Sequence, residues 1–305
     1  MIRPFLTVLE TVFLLIAVSI LIFISMGLMP GDPVDMMLAG NPNATPEDAA
    51  RLKAIHGLDQ PLFGRYLAWV GNLLTGDLGY SRLYSLPVFD VLLPALLQTL
   101  ILLGAALCVA LVIALPLGTW AAHRPGGEGD VTIRAFVFTG QSIPPFWLAL
   151  MLILIFAVSL QWLPAGGLED WTGWILPVIA LALPMVAAYT RHIRSAILEV
   201  KNAQHVLTAR AKGVRPAFVF FRHILPGAMP PIVTIIALDL GTLMGGAIVT
   251  ETVFNLRGTG RMIYDAIIGN DFNLALSGLM LVTICVILAN RVADMLYPLL
   301  DPRLR

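Results

Sequence analysis

One polar stretch, RHIRSAILEVKNAQHVLTARAKGVRPAFVFFR at residues 191–222, decides how this chain folds. It is the longest polar run between apolar segments, and each neighbouring segment is apolar enough to cross a bilayer. Its single acid is Glu199. Its cations are Arg191, Arg194, Lys201, Arg210, Lys212, Arg215 and Arg222. Because cytoplasmic loops of membrane proteins are enriched in lysine and arginine, the stretch is predicted to lie on the cytoplasmic face.

Two helical pieces are predicted within this stretch. Apolar residues from Ile193 to Val200 recur at i, i+3, i+4 and i+7, so the preceding span is expected to continue as a helix beyond the membrane. A second, short helix is predicted over residues 206–212, with cations in its last turn and Gly213 at the C′ position. A short helix that lies across a cytoplasmic loop is suited to docking a soluble partner.

The composition is that of a membrane protein. Of the 305 residues, 58% are hydrophobic and 12% are charged, which is too much hydrocarbon for a soluble domain to keep out of water. The formal net charge of zero argues against a nucleic-acid partner. Cys108 and Cys285 lie in apolar segments, and the histidines show no ligand spacing. Neither a disulfide nor a metal site is therefore predicted.

Six spans are predicted, which makes the chain an all-α polytopic membrane protein. The first is predicted to remain uncleaved, because no small-residue cleavage site follows it. An even number of spans puts both termini on one side, and the distribution of cations assigns that side to the cytoplasm. The spans are expected at about residues 11–29, 96–120, 142–160, 174–190, 231–253 and 275–297.

These spans divide the chain into three regions. Residues 1–29 form the N-terminus and the first span, residues 30–95 an outside segment, and residues 96–305 a core with the other five spans. Within the outside segment, Thr45-Pro46-Glu47-Asp48 is typical of a helix start. A further outside helix, lying along the membrane interface, is predicted from Tyr66 to Leu74.

Several motifs resemble those of the permease subunits of binding-protein-dependent ABC importers. Thr208-Ala209-Arg210-Ala211-Lys212-Gly213, followed by Ile224-Leu225-Pro226, resembles the permease signature of that family. Its Ala-Arg-Ala-Lys-Gly form is most similar to the B-type subunits of dipeptide, oligopeptide and nickel permeases. Other matching pieces occur in the same order along nearly the whole chain: Pro30-Gly31-Asp32-Pro33, residues 56–62, Gly76-Asp77-Leu78-Gly79-Tyr80-Ser81 and residues 299–303. The alternative for the central motif is an ordinary positive-inside loop.

This resemblance implies the type I ABC importer permease fold. It places a helical periplasmic segment after the first span and a cytoplasmic coupling helix between the fourth and fifth, within a coupling loop at residues 191–226. In the family, that helix seats in a groove of the ATPase subunit. The implied coupling residues are Glu199, Thr208, Ala209, Arg210, Ala211, Lys212 and Gly213. Leu207 departs from the wider signature, which has glutamate at this position.

The segment from Thr250 to Arg261 resembles the family's outer segment, which helps close the pathway on the periplasmic side and meets the binding protein. The residues expected at this gate or binding-protein contact are Glu251, Phe254, Gly258 and Gly260.

An acid within the fifth predicted span is a candidate for the substrate pathway. Asp239 lies near its middle, where a carboxylate costs roughly 2.5–3.5 kcal/mol on insertion scales. It shares a helix face with Thr242 and Gly246, and an anion there would favour a cationic group such as a peptide amine. The alternative is an interhelical hydrogen bond or an ion pair, for example with Arg291.

The predicted function is that of a permease subunit in an ATP-driven importer of di- or oligopeptides. No GxxxxGK[ST] motif occurs, so no enzymatic activity is expected and ATP and magnesium are assigned to partner subunits. The implied partners are a second, C-type permease, two ATPases and a periplasmic binding protein at the bacterial inner membrane. Nickel chelates, glutathione and other small solutes remain alternative cargoes. An ion-driven secondary transporter and a membrane enzyme remain alternative classes.

Overall fold

The described part of the chain begins with a long helix and includes a helix cap in the segment predicted to lie outside. The Asp48 amide donates to Thr45 Oγ1 at 3.2 Å, and the Thr45 amide donates to Asp48 Oδ2 at 3.0 Å, which is the reciprocal pattern of a capping box. These bonds also lower the pKa of Asp48. Most of the helix predicted to start here, and the motif at residues 30–33, lie outside the described residues. The computed structural model describes residues 2–28, 45, 47–48, 51, 60–167 and 170–300, with the backbone alone at 2–6, 8, 240, 242 and 296–300.

The described residues are mainly helical, with one short hairpin. The elements are α1 (Ile2–Gly27), α2 (Leu62–Leu74), β1 (Tyr80–Ser81), β2 (Leu86–Pro87), α3 (Val88–His123), α4 (Glu128–Ser142), α5 (Pro145–Leu152), α6 (Ile175–Lys201), α7 (Gln204–Ala211), α8 (Pro216–Val219), α9 (Leu225–Val253), α10 (Thr259–Ile268) and α11 (Phe272–Leu300). Helix α5 continues as a π-helix over Ile153–Ser159, and a second π-helix, Phe220–Ile224, joins α8 to α9. A 3-10 turn, Trp171–Trp174, precedes α6.

Five described segments are long and apolar enough to cross a membrane, and a bent pair of helices can supply a sixth. In that pair, α4 and Pro145–Ser159 meet at 98°. The bend falls at Ile143, whose extended backbone is the conformation imposed by the following Pro144. The five segments are Leu9–Gly27, Val88–His123, Trp171–Lys201, Pro216–Asp239 and Phe272–Met295.

At two helices, prolines explain why the observed start differs from that of the predicted span. Helix α5 begins at Pro145, three residues after the predicted start, because Pro144 prevents Ile143 from being helical. Helix α9 begins at Leu225, six residues before the predicted start, and keeps Pro230 and Pro231 inside it. Membrane helices tolerate interior prolines where neighbouring groups satisfy the freed carbonyls.

One compact unit comprises Met1–Leu97 and Arg261–Ile287. Its core packs α1, α2, α10 and the first turns of α3 and α11 together. The rings of Phe23, Tyr66 and Trp69 lie 5.5–6.2 Å apart, and the hydroxyls of Ser19 and Tyr66 form a hydrogen bond of 2.9 Å. Helix α2, which includes the predicted outside helix, is therefore packed against α1.

A buried carboxylate fastens the hairpin of this unit to helix α11. Asp271 is 2% exposed and accepts hydrogen bonds from Ser81 Oγ at 2.6 Å and from the Leu83 amide at 2.9 Å. It also accepts from the Leu274 amide at 3.3 Å and so caps α11. The strands pair antiparallel, with Tyr80 opposite Pro87.

The second unit comprises Gln98–Gly260 and Leu288–Arg305, and α6 is its central helix. Helix α6 packs against α9, α4 and α5. It also lies close to α3 at Gly118, where an added Cβ would be 2.7 Å from Ile193 Cγ2 and 2.9 Å from the Thr190 carbonyl oxygen. Because α6 continues directly into the coupling loop, this unit carries the candidate site.

Candidate functional site

The short helix α7 has one buried and one exposed face. Val206 is fully buried and Ala209 is 9% exposed, and their spacing of three residues puts them on the same side of the helix. These two side chains anchor α7 against α6 and the segment from α8 to the following π-helix. The other residues of α7, and Lys212 after it, are exposed: Gln204, His205, Leu207, Thr208, Arg210, Ala211 and Lys212.

Helix α7 ends in a Schellman motif, as the sequence predicted for Gly213 at C′. Gly213 has φ of 74°, and its amide donates to the Arg210 carbonyl at 2.9 Å. The Val214 amide donates to the Ala209 carbonyl at 3.3 Å, which completes the motif. A left-handed backbone conformation costs a residue with a side chain about 1–2 kcal/mol, so glycine suits this position.

An ion pair between Arg194 and Asp130 ties the beginning of the coupling loop to helix α4. Arg194 Nε and Nη2 donate to the two carboxylate oxygens at 2.6 and 2.8 Å. The Asp130 side chain is fully buried and also accepts from the Gly126 amide at 2.8 Å. Sequence reasoning counted Arg194 as a positive charge and missed Asp130. An acid in the first turn of a helix after Gly126 was the available signal, but the sequence does not reveal its partner.

A second polar contact ties the end of α6 to the end of α3. Lys201 Nζ donates to the carbonyl oxygens of Ala122 and His123 at 3.1 and 3.0 Å. These are C-terminal carbonyls of a helix, where a cation is favourable. We call the Arg194–Asp130 and Lys201–α3 contacts the two clamps. Glu199 lies between them in the sequence, and its exposed side chain makes no hydrogen bond within the described part of the chain.

The structure brings three of the four predicted gate residues together around one carboxylate. Glu251 is fully buried, and Thr99 Oγ1 donates to its Oε1 at 2.5 Å. The Thr259 amide in turn donates to Thr99 Oγ1 at 2.8 Å. A Cβ at Gly258 would overlap the Glu251 carboxyl group, and one at Gly260 would lie 3.0 Å from Oε2. We call these five residues the Glu251 cage.

The fourth predicted gate residue, Phe254, lies beside the cage with its side chain fully buried. Its carbonyl accepts a hydrogen bond from the Gly167 amide at 3.2 Å, and the backbone of Gly166 abuts it. The turn after α9 is closed by Asn255, at φ of 56°, and by the Leu256 amide, which donates to the Glu251 carbonyl at 2.8 Å. Sequence reasoning missed Thr99, because it lies 152 residues away from Glu251 in the chain.

Asp239 on α9 lies next to polar side chains of α6. The Tyr189 hydroxyl faces its carboxylate, and His192 lies within its electrostatic range. Arg291, the partner considered from the sequence, forms an ion pair with Asp294 at 3.3 Å. A Cβ added at Gly246, or at its neighbour Gly245, would meet no described atom within 4 Å. The side chain of Thr242, predicted to share this face, is outside the described part.

What this arrangement offers is mechanical and electrostatic. A capped helix is held at the ends of packed spans, and a half-buried carboxylate lies on one of those spans. Among the described residues, no three His, Cys, Asp or Glu side chains gather as a metal site would require.

Comparison with protein families finds two matches that together account for most of the chain. Residues 114–305 match the family described as binding-protein-dependent transport system inner membrane component. Residues 1–92 match the N-terminal region of binding-protein-dependent transport system membrane components.

Similar full-length proteins include named peptide permeases. The di/tripeptide transport system permease protein DppB of Pseudomonas aeruginosa is 38% identical over 318 aligned positions, covering 94% of each chain. The dipeptide permease DppB of Escherichia coli is 35% identical, covering 95% of this chain and 94% of its own. The oligopeptide permease AppB of Bacillus subtilis is 34% identical, covering 95% of each.

Solved structures show a similar fold at lower sequence identity. A chain of the inward-facing MetNI methionine ABC transporter has a TM-score of 0.61 and 24% identity, covering 70% of this chain and 98% of its own. A chain of an amino acid ABC transporter crystallised with histidines has a TM-score of 0.55 and 16% identity, covering 68% of this chain and 94% of its own.

Proposed function

Since this chain belongs to the family of binding-protein-dependent transport system inner membrane components, we propose that it is the permease subunit of an ATP-driven peptide importer that is coupled through helix α7. ATP hydrolysis belongs to partner subunits in this family of ABC transporters. The peptide cargo is assigned from relatives whose names specify dipeptides, di/tripeptides and oligopeptides. A nickel chelate, glutathione or another small solute is the second choice of cargo.

The geometry of α7 carries the coupling proposal. Val206 and Ala209 anchor one face, so the other face is held at a fixed angle for a partner. Thr208, Ala211 and Lys212 lie on that exposed face and serve as docking residues. Ala209, also implied by the family signature, acts by packing and not by contact with the partner. Glu199 is exposed on the preceding helix and is available to the same partner.

The two clamps transmit motion of α7 to the membrane spans. Helix α6 runs from Ile175 to Lys201 and ends just before α7. Arg194 joins it to α4, and Lys201 joins it to α3. Packed elements move as bodies and do not deform continuously, so a displacement of α7 is carried into these helices. The change must be driven by contacts with the ATPases that differ between two states of the importer.

The Glu251 cage and Phe254 form the proposed periplasmic gate. The cage locks the turn after α9 to α3 through Thr99, so this end of the pathway moves as one piece. Phe254 is buried, so its part is to support the gate from inside. The binding protein is assigned to the surface where Asn255 and Arg257 are exposed between these buried residues.

The substrate pathway is assigned to the open face of α9. Gly246 lies on it with free space on its outer side among the described residues, and Asp239, seven residues earlier on the same side of the helix, faces Tyr189 of α6. A second permease, of the C-type, would complete the pathway there. The carboxylate of Asp239, beside Tyr189, suits the amino group of a peptide. In this arrangement both termini and α7 are cytoplasmic, and the protein resides in the bacterial inner membrane.

ATP-dependent uptake by the complete importer in proteoliposomes tests the coupling proposal. Gly213→Asp places a side chain at a left-handed position and a charge beside the docking face. The strain of about 1–2 kcal/mol acts here on the end of α7, where a cost of that size weakens docking roughly tenfold, so uptake should fall by about that factor. Stimulation of the ATPase by the binding protein should be lost with it. The matched control is Gly76→Asp, at φ of 82° in a turn with open space around it.

The two variants separate coupling from simple loss of folding. Gly76→Asp carries the same kind of backbone strain outside the coupling loop and should retain uptake. Wild-type uptake by Gly213→Asp would mean that α7 does not transmit the ATPase cycle.

A further inference from the structure

A cavity of about 630 Å³ lies behind helix α7. It is bounded by α7, the ends of α3 and α6, and the helical segment that follows α7 from Pro216 to Ile224. Its volume falls within the roughly 300–1,000 Å³ typical of ligand sites. The wall is mostly hydrocarbon. Ile197 contributes from α6, and Phe220 and Ile224 contribute from the π-helix that leads into α9.

The charged groups at this cavity all have the same sign. These groups are Arg210 and Lys201, and none of the described lining residues is an acid; the His123 side chain lines the cavity beside them. The Lys201 ammonium has three N–H donors and uses two on the carbonyls of α3, so one remains. The Arg210 guanidinium is exposed and makes no hydrogen bond within the described part of the chain. Arginine presents a donor fork that suits a phosphate group.

We propose that this cavity binds an anionic phospholipid of the inner leaflet. The headgroup phosphate would accept hydrogen bonds from Arg210 and Lys201, and an acyl chain would lie along Ile197, Phe220 and Ile224. An apolar wall beside unopposed cations matches an amphiphile with an anionic head, and basic pockets between cytoplasmic helix ends recognise such lipids. The inference rests on the cytoplasmic placement of α7 in the proposed function.

The position of the cavity gives the lipid a role in coupling. Arg210 belongs to α7, whereas Lys201 and His123 end the two spans with which α7 must communicate. A phosphate shared by these elements adds a third connection beside the two clamps. Anionic lipid therefore stiffens the attachment of α7, and coupling by the complete importer becomes dependent on it.

Lipid counting on the complete, detergent-solubilised importer tests the site directly. Native mass spectrometry follows the binding of added phosphatidylglycerol, with phosphatidylcholine as the uncharged comparison. Ala217→Trp fills the cavity from its wall and should remove one bound phosphatidylglycerol per copy of this chain. Its control, Phe218→Trp, changes a neighbouring exposed side chain that does not line the cavity.

A second pair of variants tests the charge. Arg210→Gln should weaken the apparent affinity for phosphatidylglycerol about fivefold, the effect expected of one basic residue at an anionic lipid surface. Arg215→Gln removes a nearby exposed cation outside the cavity and should leave the affinity unchanged.

Three results would overturn the proposal. The first is equal phosphatidylglycerol binding by Ala217→Trp and the wild type. The second is equal retention of phosphatidylcholine, because the site would then not recognise charge. The third is displacement of the lipid by inorganic phosphate alone, which would identify a free anion as the ligand. Lipid counting requires neither uptake nor ATP hydrolysis, so its failure is distinguishable from failure of the Gly213→Asp test.

Discussion

At the scale of single residues, Glu251 shows how a buried acidic side chain is accommodated. A carboxylate without exposure needs donors for its oxygens, because an unsatisfied buried polar group costs about 1–3 kcal/mol. Thr99 supplies one donor, and the tight backbone of residues 258–260 surrounds the remainder of the group. The absence of a side chain at Gly258 is what leaves room for the carboxyl group.

Replacing Gly258 with alanine should therefore destabilise the protein. The added methyl would overlap the Glu251 carboxyl group, and overpacking of this kind costs about 1–3 kcal/mol. Thermal unfolding of the purified protein measures the effect. Gly71→Ala is the matched control, because it lies inside α2 with open space around it and should be neutral or stabilising by up to about 1 kcal/mol. Similar thermal unfolding midpoints for the two variants would contradict the close packing of Gly258 against Glu251.

At the scale of secondary-structure elements, ion pairs with equivalent chemistry have unequal roles. Asp130 is fully buried and bound through both oxygens to Arg194, so it fixes α4 to α6. Asp294 pairs with Arg291 on one helix, and its side chain is 59% exposed. An exposed pair contributes about 0–1 kcal/mol, whereas breaking a buried one leaves a charge uncompensated.

Asp130→Asn should accordingly cost about 1–3 kcal/mol of unfolding free energy and weaken coupling. The amide can still accept a hydrogen bond from Gly126 but no longer neutralises Arg194. We expect the ATPase of the complete importer to respond less to the binding protein, measured as the ratio of stimulated to basal hydrolysis. Asp294→Asn provides the control and should preserve that ratio. If both variants respond like the wild type, the clamp has no part in transmission.

At the scale of the whole molecule, the open face of α9 matters most. Gly245 and Gly246 meet no described atom on their outer side, so this face is not packed within the described chain. Val112 on α3 is 67% exposed on an apolar span, which is the environment expected of a lipid-facing side chain. In the assembled importer, these two kinds of exposed surface should differ in access to water.

Cysteine labelling in the complete complex distinguishes them. In a background with Cys108 and Cys285 replaced by serine, Gly246→Cys should react with a charged, membrane-impermeant thiol reagent. The rate should change when ATP is added, because the pathway alternates its access. Val112→Cys should react slowly with and without ATP, because a charged reagent does not enter lipid and a cysteine in lipid does not ionise to the reactive thiolate. Equal reactivity at the two positions would place Gly246 outside the pathway.

Much of this architecture follows from local sequence signals. Hydrocarbon runs of about 20 residues must be helical in a bilayer, because no water satisfies their backbone groups. The Schellman end of α7 was predictable because glycine is the residue that adopts the left-handed C′ conformation without strain. The effect of each proline on a helix boundary was less predictable. Pro144 lies at a break between two helices, whereas Pro230 and Pro231 lie inside α9.

Thus the sequence by itself determined the membrane class, the helical content, the polar loop with its capped short helix, and the family. These properties depend on hydropathy, periodicity and short motifs, which act over a few turns of chain. Only the tertiary structure decided that Ala209 packs inward while Ala211 is exposed, that Asp130 holds Arg194, and that Thr99 meets Glu251. The reason is physical: these contacts join residues on different helices, and their geometry is set by how the helices pack, which no local pattern records.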